Sequence, residues 1–265
     1  RNDDFNGAEQ EGFGYVQWTM RNGRRCSTAV GYLKPARKRP NLTVATNALG
    51  LRVLFDGRRA VGVEYDQNGE TKTAHAGGEV IVSGGAINSP QLLQLSGLGP
   101  ADLLRTHGID VIADMPGVGQ HLQDHINGPL MFRLNRNISA NDVVNSMAQR
   151  IRTGIRYALT RKGFLAMGVS VGGGFYKVDP AAVAPEIQSQ VMLFSSHDVG
   201  GMPHPFPGAT VVNALLRPES RGHVNIVSSD PFTKPEIQPN YLTAQKDRDI
   251  LIGGGSVTGV YYQVA

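Results

Sequence analysis

Cysteine is almost missing from this sequence. Cys26 stands alone among 265 residues, which excludes an internal disulfide framework and suits a reducing compartment. Charge of one sign is also scarce: 26 Lys and Arg against 22 Asp and Glu leave a net charge of +4, which implies no nucleic-acid partner. No apolar run approaches the roughly 20 residues a bilayer span needs, and no charged-then-apolar leader opens the chain. The Gly-x-Gly-x-x-Gly spacing of a dinucleotide-binding turn occurs nowhere. Trp18 is the only tryptophan and reads as a packing residue.

What is present describes a globular chain. Hydrophobic residues make up 40% and charged residues 18%, and the length suffices for one large domain or two modest ones. The chain opens on "RNDDFNG" and stops at "GVYYQVA", so it reads as a fragment. Residues 1–40 are Gly-rich and irregular, with basic clusters around Arg24 and Lys38 that read as a solvated surface, since no aromatic platform accompanies them.

From residue 41 to 83 the apolar period is two. "LTVAT", "LRVLF", "AVGVEY" and "TKTAHA" predict strands, with Asp56-Gly57 and Asn68-Gly69 as hairpin turns. "EVIVS", Glu79 to Ser83, predicts another short strand. Pro116, Gly117 and Gly119 mark a loop. A second, mostly antiparallel sheet is predicted from Asn127 to about Tyr241, with strands at 127–134, "GFYKV", "IQSQVMLF", "TVVNALLR" and "HVNIVSS". Met147 to Lys162 predicts a helix whose Ile151, Ile155, Ala158 and Leu159 share a face, capped by Gly163. Beyond Gly253, "GGGSVTG" speaks against a helix, at roughly 1 kcal/mol per helical glycine.

The most informative stretch is "SGGAINSPQLLQLSGLGP", Ser83 to Pro100. A strand ending in Ser83, Gly84, Gly85 and Ala86 lets a planar or anionic group approach main chain without meeting a Cβ atom. Ser89 is placed to cap the next helix and Pro90 to occupy its first position. Leu92, Leu93 and Leu95 form its buried face. On these grounds alone the bend is either a tight structural turn or a ligand site.

Gly85 through Gly99 resembles the second signature of the glucose-methanol-choline (GMC) oxidoreductases, FAD-dependent enzymes that oxidise alcohols. "DFNGAEQEGFG", "GRRCSTAVGYL", "RPNLTV", "RRAVGVEY", "PGVGQHLQDH", "PESRGHVNIVSSDP" and "PNYL" resemble that family's segments in the same order, nearest to its alcohol and choline dehydrogenase branch. The resemblance implies an α+β chain: residues 41–126 as part of an α/β-type FAD-binding domain, 127–245 as a substrate domain with a helix-packed antiparallel sheet, and 1–40 joining them. Residues 246–265 depart from the family pattern and read as an atypical end. It further implies FAD as cofactor, a primary alcohol as substrate, and an electron acceptor that receives the flavin's electrons. Location would be cytoplasmic or peripheral at the inner membrane, with membrane association only through that acceptor.

Cofactor contacts carried over by the resemblance are Ala48 and Gly50 at the adenine side and Ser83, Gly84, Gly85 and Ala86 along the flavin. No catalytic residue is assigned, because none of the seven histidines stands in the family's His-Pro context. His121 replaces the usual Asn. Two rival readings remain. Gly168-Val169-Ser170-Val171-Gly172 fits the Gly-x-Ser-x-Gly elbow of a serine hydrolase, with Asp198 and His223 following, but the required helix after the serine is not predicted. The other is a non-catalytic binding or structural remnant. His121, Asp124 and His125 would suit a metal only on one helical face, and the preceding Pro-Gly-Val-Gly argues for a loop. Asn41-Leu42-Thr43 and Asn137-Ile138-Ser139 match glycosylation acceptors.

Overall fold

A computed structural model describes residues 1–261 except Val169 and Val199, with the side chains of 259–261 left aside. Strand β1 (Gly12–Tyr15) comes first. Then follow β2 (Ala48–Asp56), β3 (Arg59–Gln67) and β4 (Glu70–His75). Helices α1 (Gly85–Leu95) and α2 (Ala101–Thr106) lead to β5 (Gln120–Leu122) and β6 (Asn127–Arg133). Helices α3 (Ala140–Val144) and α4 (Met147–Thr160) precede β7 (Ser170–Tyr176), β8 (Ile187–Met192) and β9 (Gly208–Leu215). Strands β10 (Gly222–Asn225) and β11 (Glu236–Gln238) and helix α5 (Gln245–Tyr261) complete the order. The chain is α+β, as the resemblance implies.

Contacts divide it into two compact units, one of residues 1–39, 125–218 and 244–265, the other of 40–124 and 219–243. The sequence-based boundaries differ, for they leave 219–243 with the second sheet and set residues 1–40 and 246–265 apart.

In the first unit a five-stranded antiparallel sheet runs in the order β1-β7-β8-β9-β6. Because side chains alternate across a strand, Ile187, Ser189 and Val191 of β8 share a face with Leu215, Asn213 and Val211 of β9. Helix α5 covers that face, and Ile250 joins Tyr176, Ile187 and Leu215 in the core. Its glycines are the means of approach. A Cβ on Gly253 would stand 2.3 Å from Val178 Cγ1 and one on Gly254 3.0 Å from Ile187. Tyr176 Oη donates to the Gly254 carbonyl at 2.9 Å, and Thr258 Oγ1 donates to Asn213 Oδ1 at 2.8 Å. The expectation that "GGGSVTG" resists helix is therefore corrected: burial against the sheet outweighs glycine's propensity cost. Residues 262–265 of that predicted atypical end lie outside the described residues.

The second unit holds the meander β2-β3-β4 and the sheet β11-β10-β5. Both predicted hairpins form through two-residue loops, Asp56 pairing with Arg59 and Gln67 with Glu70. Asn68 and Gly69 both take positive φ, 58° and 86°, the twist a hairpin turn favours. Three expectations fail here. "LTVAT" and "EVIVS" join no ladder among the described residues, and Ile81 is left 78% exposed; without a neighbouring strand their main-chain groups have no ladder to enter. "HVNIVSS" becomes β10, pairing with β5 and β11 rather than with the five-stranded sheet.

Candidate functional site

The bend at Ser83–Ala86 is open. All four residues are exposed, and Gly85 takes φ +85° with nothing within 4 Å of where a Cβ would lie. Helix α1 begins there, five residues earlier than a Ser89 cap predicts: its N-cap is Gly84, without a side-chain cap bond, and Pro90 lies inside it. Pro90 forgoes the bond to the Ala86 carbonyl, and Ala86 is exposed. The other carried-over positions adjoin this helix, as β2 packs on α1 and a Cβ on Gly50 would lie 3.7 Å from Leu92 Cδ1. Ala48 is exposed at the start of β2.

The leucines of α1 are only half-buried; its fully buried residue is Gln94, at 0% exposure. Gln94 Nε2 donates to the carbonyls of Val118 and Val224, each at 3.2 Å, and its Oε1 accepts from the Ile226 amide at 2.9 Å. One side chain thus ties the helix to the Pro-Gly loop and to β10. Gly119 is required beside it, with φ +83° and a Cβ position only 2.4 Å from Gln94 Nε2. Nothing in the apolar pattern marks Gln94, since an amide inside a leucine helix reads as a surface residue.

Residues of "HLQDH" fall in β5 and the irregular segment after it, not on a helix. His121 has φ 62°, a left-handed conformation that Asn adopts most readily and His also populates. The physical demand at this position is on main chain. Asp124 accepts a short hydrogen bond from the Tyr241 hydroxyl. This bond, then desolvation and the nearby carboxylate charge, hold the Tyr241 pKa above the ordinary phenol value.

Two cavities lie in the first unit, on the sheet face opposite α5. A smaller one of about 400 Å³ mixes the polar side chains of Gln17, Ser170, Gln188 and Gln190 with Phe5, Trp18 and Phe175. An apolar one of about 770 Å³ is lined by Met131, Phe164, Val171, Met192 and Val212 among others. Gly168 belongs to both walls. Its missing side chain admits the indole, for a Cβ there would stand 2.6 Å from Trp18 Nε1, and that nitrogen donates to the Ser170 carbonyl at 3.1 Å. Trp18 is therefore a cavity wall, which the expectation of simple packing does not anticipate.

The serine-elbow geometry does not form. Ser170 opens strand β7, which continues to Tyr176 where the elbow needs a helix, and its hydroxyl donates to Gln190 Oε1 at 3.0 Å. His223 belongs to the other unit and contacts Glu236 at 3.2 Å. Val169 lies outside the described residues. Among the described residues no group of three His, Cys, Asp or Glu side chains could hold a metal ion, and no helix is long and apolar enough to cross a membrane.

Comparison with known proteins gives these parts a context. The family model for GMC oxidoreductases matches residues 1–127. An alcohol dehydrogenase [acceptor] of Pseudomonas putida is 40% identical over 256 residues, covering 96% of this chain and 46% of that protein. The mitochondrial choline dehydrogenase of Homo sapiens is 40% identical over 245 residues, covering 92% and 41% respectively. The crystal structure of a formate oxidase superposes with a TM-score of 0.83 at 26% identity, over 91% of this chain and 46% of that one. The chain thus spans somewhat under half the length of the relatives it matches.

Proposed function

The chain belongs to the GMC oxidoreductase family, and from that premise we propose that it is a part of an FAD-dependent oxidoreductase that oxidises a primary alcohol to the aldehyde. Ser83, Gly84, Gly85 and Ala86, with Ala48 and Gly50, would hold the nucleotide. The open space around Gly85 supports this, because a bulky planar group meets no Cβ there. Bound FAD would supply the hydride acceptor. This chain's own contribution is to present main-chain groups at the bend, fixed by Gln94 behind them.

For the substrate, the observation that carries most weight is the pair of cavities meeting at Gly168. Amide and hydroxyl groups of Gln188, Gln190 and Ser170 suit an alcohol's OH, which both donates and accepts. The methionines and valines of the larger cavity suit a carbon chain or ring and exclude water from it. Among the described residues lining the two cavities Asp198 is the one carboxylate, which favours an uncharged aliphatic or aromatic alcohol over choline. Location would be cytoplasmic or peripheral at the inner membrane, and electrons would pass on to an acceptor.

The chain by itself binds FAD weakly or not at all and does not turn over, since it carries no pyrophosphate-binding glycine spacing and no assigned base. Flavin absorbance of the purified chain after FAD addition and gel filtration tests this; stoichiometric retention would refute it. The cavity assignment has a separate readout in the Trp18 emission. A medium-chain primary alcohol is expected to shift it saturably and choline to leave it unchanged; the reverse order would overturn the substrate reading.

A further inference from the structure

None of the 14 residues of helix α4 is buried. The shared face predicted from its sequence exists but covers nothing. Met147, Ile151, Ile155 and Leu159 recur every fourth residue and are 65%, 56%, 56% and 80% exposed. At 100° per residue they span an arc of about 120°, and at 1.5 Å per residue a stripe about 18 Å long.

The helix is fastened by its other side. Tyr157 Oη donates to the Gly23 carbonyl at 3.0 Å, and Thr153, half a turn from the stripe's centre, lines the apolar cavity. Ser146 caps the start by accepting from the Gln149 amide at 3.4 Å, and Arg161, not the expected Gly163, supplies the left-handed C-cap with φ 56°. The stripe therefore points outward from the unit.

Charge decides what it meets. Arg150 borders the apolar arc on one side and Arg152 and Arg156 on the other; all three are exposed, as are Arg161 and Lys162 just beyond. No acidic residue occurs from Met147 through Lys162. A second copy laid on this face would set arginines against arginines, and protein interfaces deplete charge around their apolar centre. An apolar arc flanked by cations with no anion matches a layer whose headgroups are negative and whose interior is hydrocarbon.

We propose that α4 is a membrane-surface helix: it lays Met147, Ile151, Ile155 and Leu159 into the headgroup–acyl boundary of an anionic bilayer while Arg150, Arg152 and Arg156 engage lipid phosphates. Val144, Leu165 and Met167 are at once exposed and part of the apolar cavity's wall. That cavity thus opens beside the docking helix, within reach of apolar molecules dissolved in lipid. This docking is independent of flavin and needs no acceptor protein as intermediary.

Co-sedimentation of the 265-residue chain with vesicles of phosphatidylcholine, with or without phosphatidylglycerol, tests it. Binding is expected only with phosphatidylglycerol, falling steeply as salt is raised. The pair I151S/I155S should weaken it roughly tenfold or more by removing apolar insertion. The triple R150Q/R152Q/R156Q should weaken it to a similar extent, by roughly tenfold or more, and erase the preference for anionic lipid. Because every altered side chain is exposed, circular dichroism and melting should match the parent. Failure of the parent to sediment with anionic vesicles overturns the proposal, as does parental binding by both variants, or self-association through the stripe in place of vesicle binding.

Discussion

Two neighbouring glycines of α5 make opposite predictions from one helix. Replacing glycine by alanine inside a helix gains about 1 kcal/mol of propensity, and Gly255 has nothing within 4 Å of its Cβ position. Gly255→Ala should therefore stabilise the chain by about 1 kcal/mol. At Gly254 the new methyl would stand 3.0 Å from both Cδ1 and Cγ1 of Ile187, inside the ~3.5–4.0 Å of comfortable carbon contact. Ile187 is 0% exposed and has no room to swing away, so overpacking costs about 1–3 kcal/mol and cancels or reverses the gain. The two variants should differ by about 1–3 kcal/mol, or several degrees in melting temperature for a chain of this size at ~2–4 °C per kcal/mol. Urea denaturation followed by far-UV circular dichroism measures the difference. If Gly254→Ala is stabilised as much as Gly255→Ala, the close docking of α5 on β8 is wrong.

Gln94→Leu keeps the apolar bulk but strands the Val118 and Val224 carbonyls and the Ile226 amide inside the second unit. A loss of about 2–4 kcal/mol in the urea transition is expected, and a neutral outcome would show that water replaces the amide. Tyr241 gives a pH signature. Its folded pKa lies above the unfolded value, so its stabilising contribution is full below an unfolded phenol pKa of about 10 and lost as pH rises through the folded value. The difference between parent and Tyr241→Phe stability should vanish in strong alkali, and the parent-minus-variant ultraviolet titration should show one phenol ionising above pH ~10. A titration at or below that value would remove Asp124 as its partner.

What the sequence discloses depends on whether a signal is local. The meander was legible because alternation and two Gly-containing turns encode it within a few residues, and β6 to β9 were legible for the same reason. The bend at Ser83–Ala86 could be located, but its helix start could not, because Ser89-Pro90 offers a strong conventional beginning and the actual one at Gly85 rests on φ +85°. Distance in sequence hid the rest. Gln94 acts on residues more than 100 positions away, Trp18 is held by a carbonyl 152 positions on, and glycine in α5 is paid back only by a sheet built from earlier strands. Which face of α4 is covered is likewise a tertiary fact; periodicity gives the stripe and not its exposure.

The division of the chain into interleaved units has a consequence for biosynthesis. Passage from one to the other occurs after residues 39, 124, 218 and 243, so neither unit corresponds to an uninterrupted stretch that a ribosome could release and fold. The edge strand at Gly12 must wait for β7, some 160 residues later in translation, before it finds its ladder partner. Shortening a gene for expression from either side would thus remove a wall of one unit while leaving the other outwardly whole, and a single proteolytic cut would separate neither.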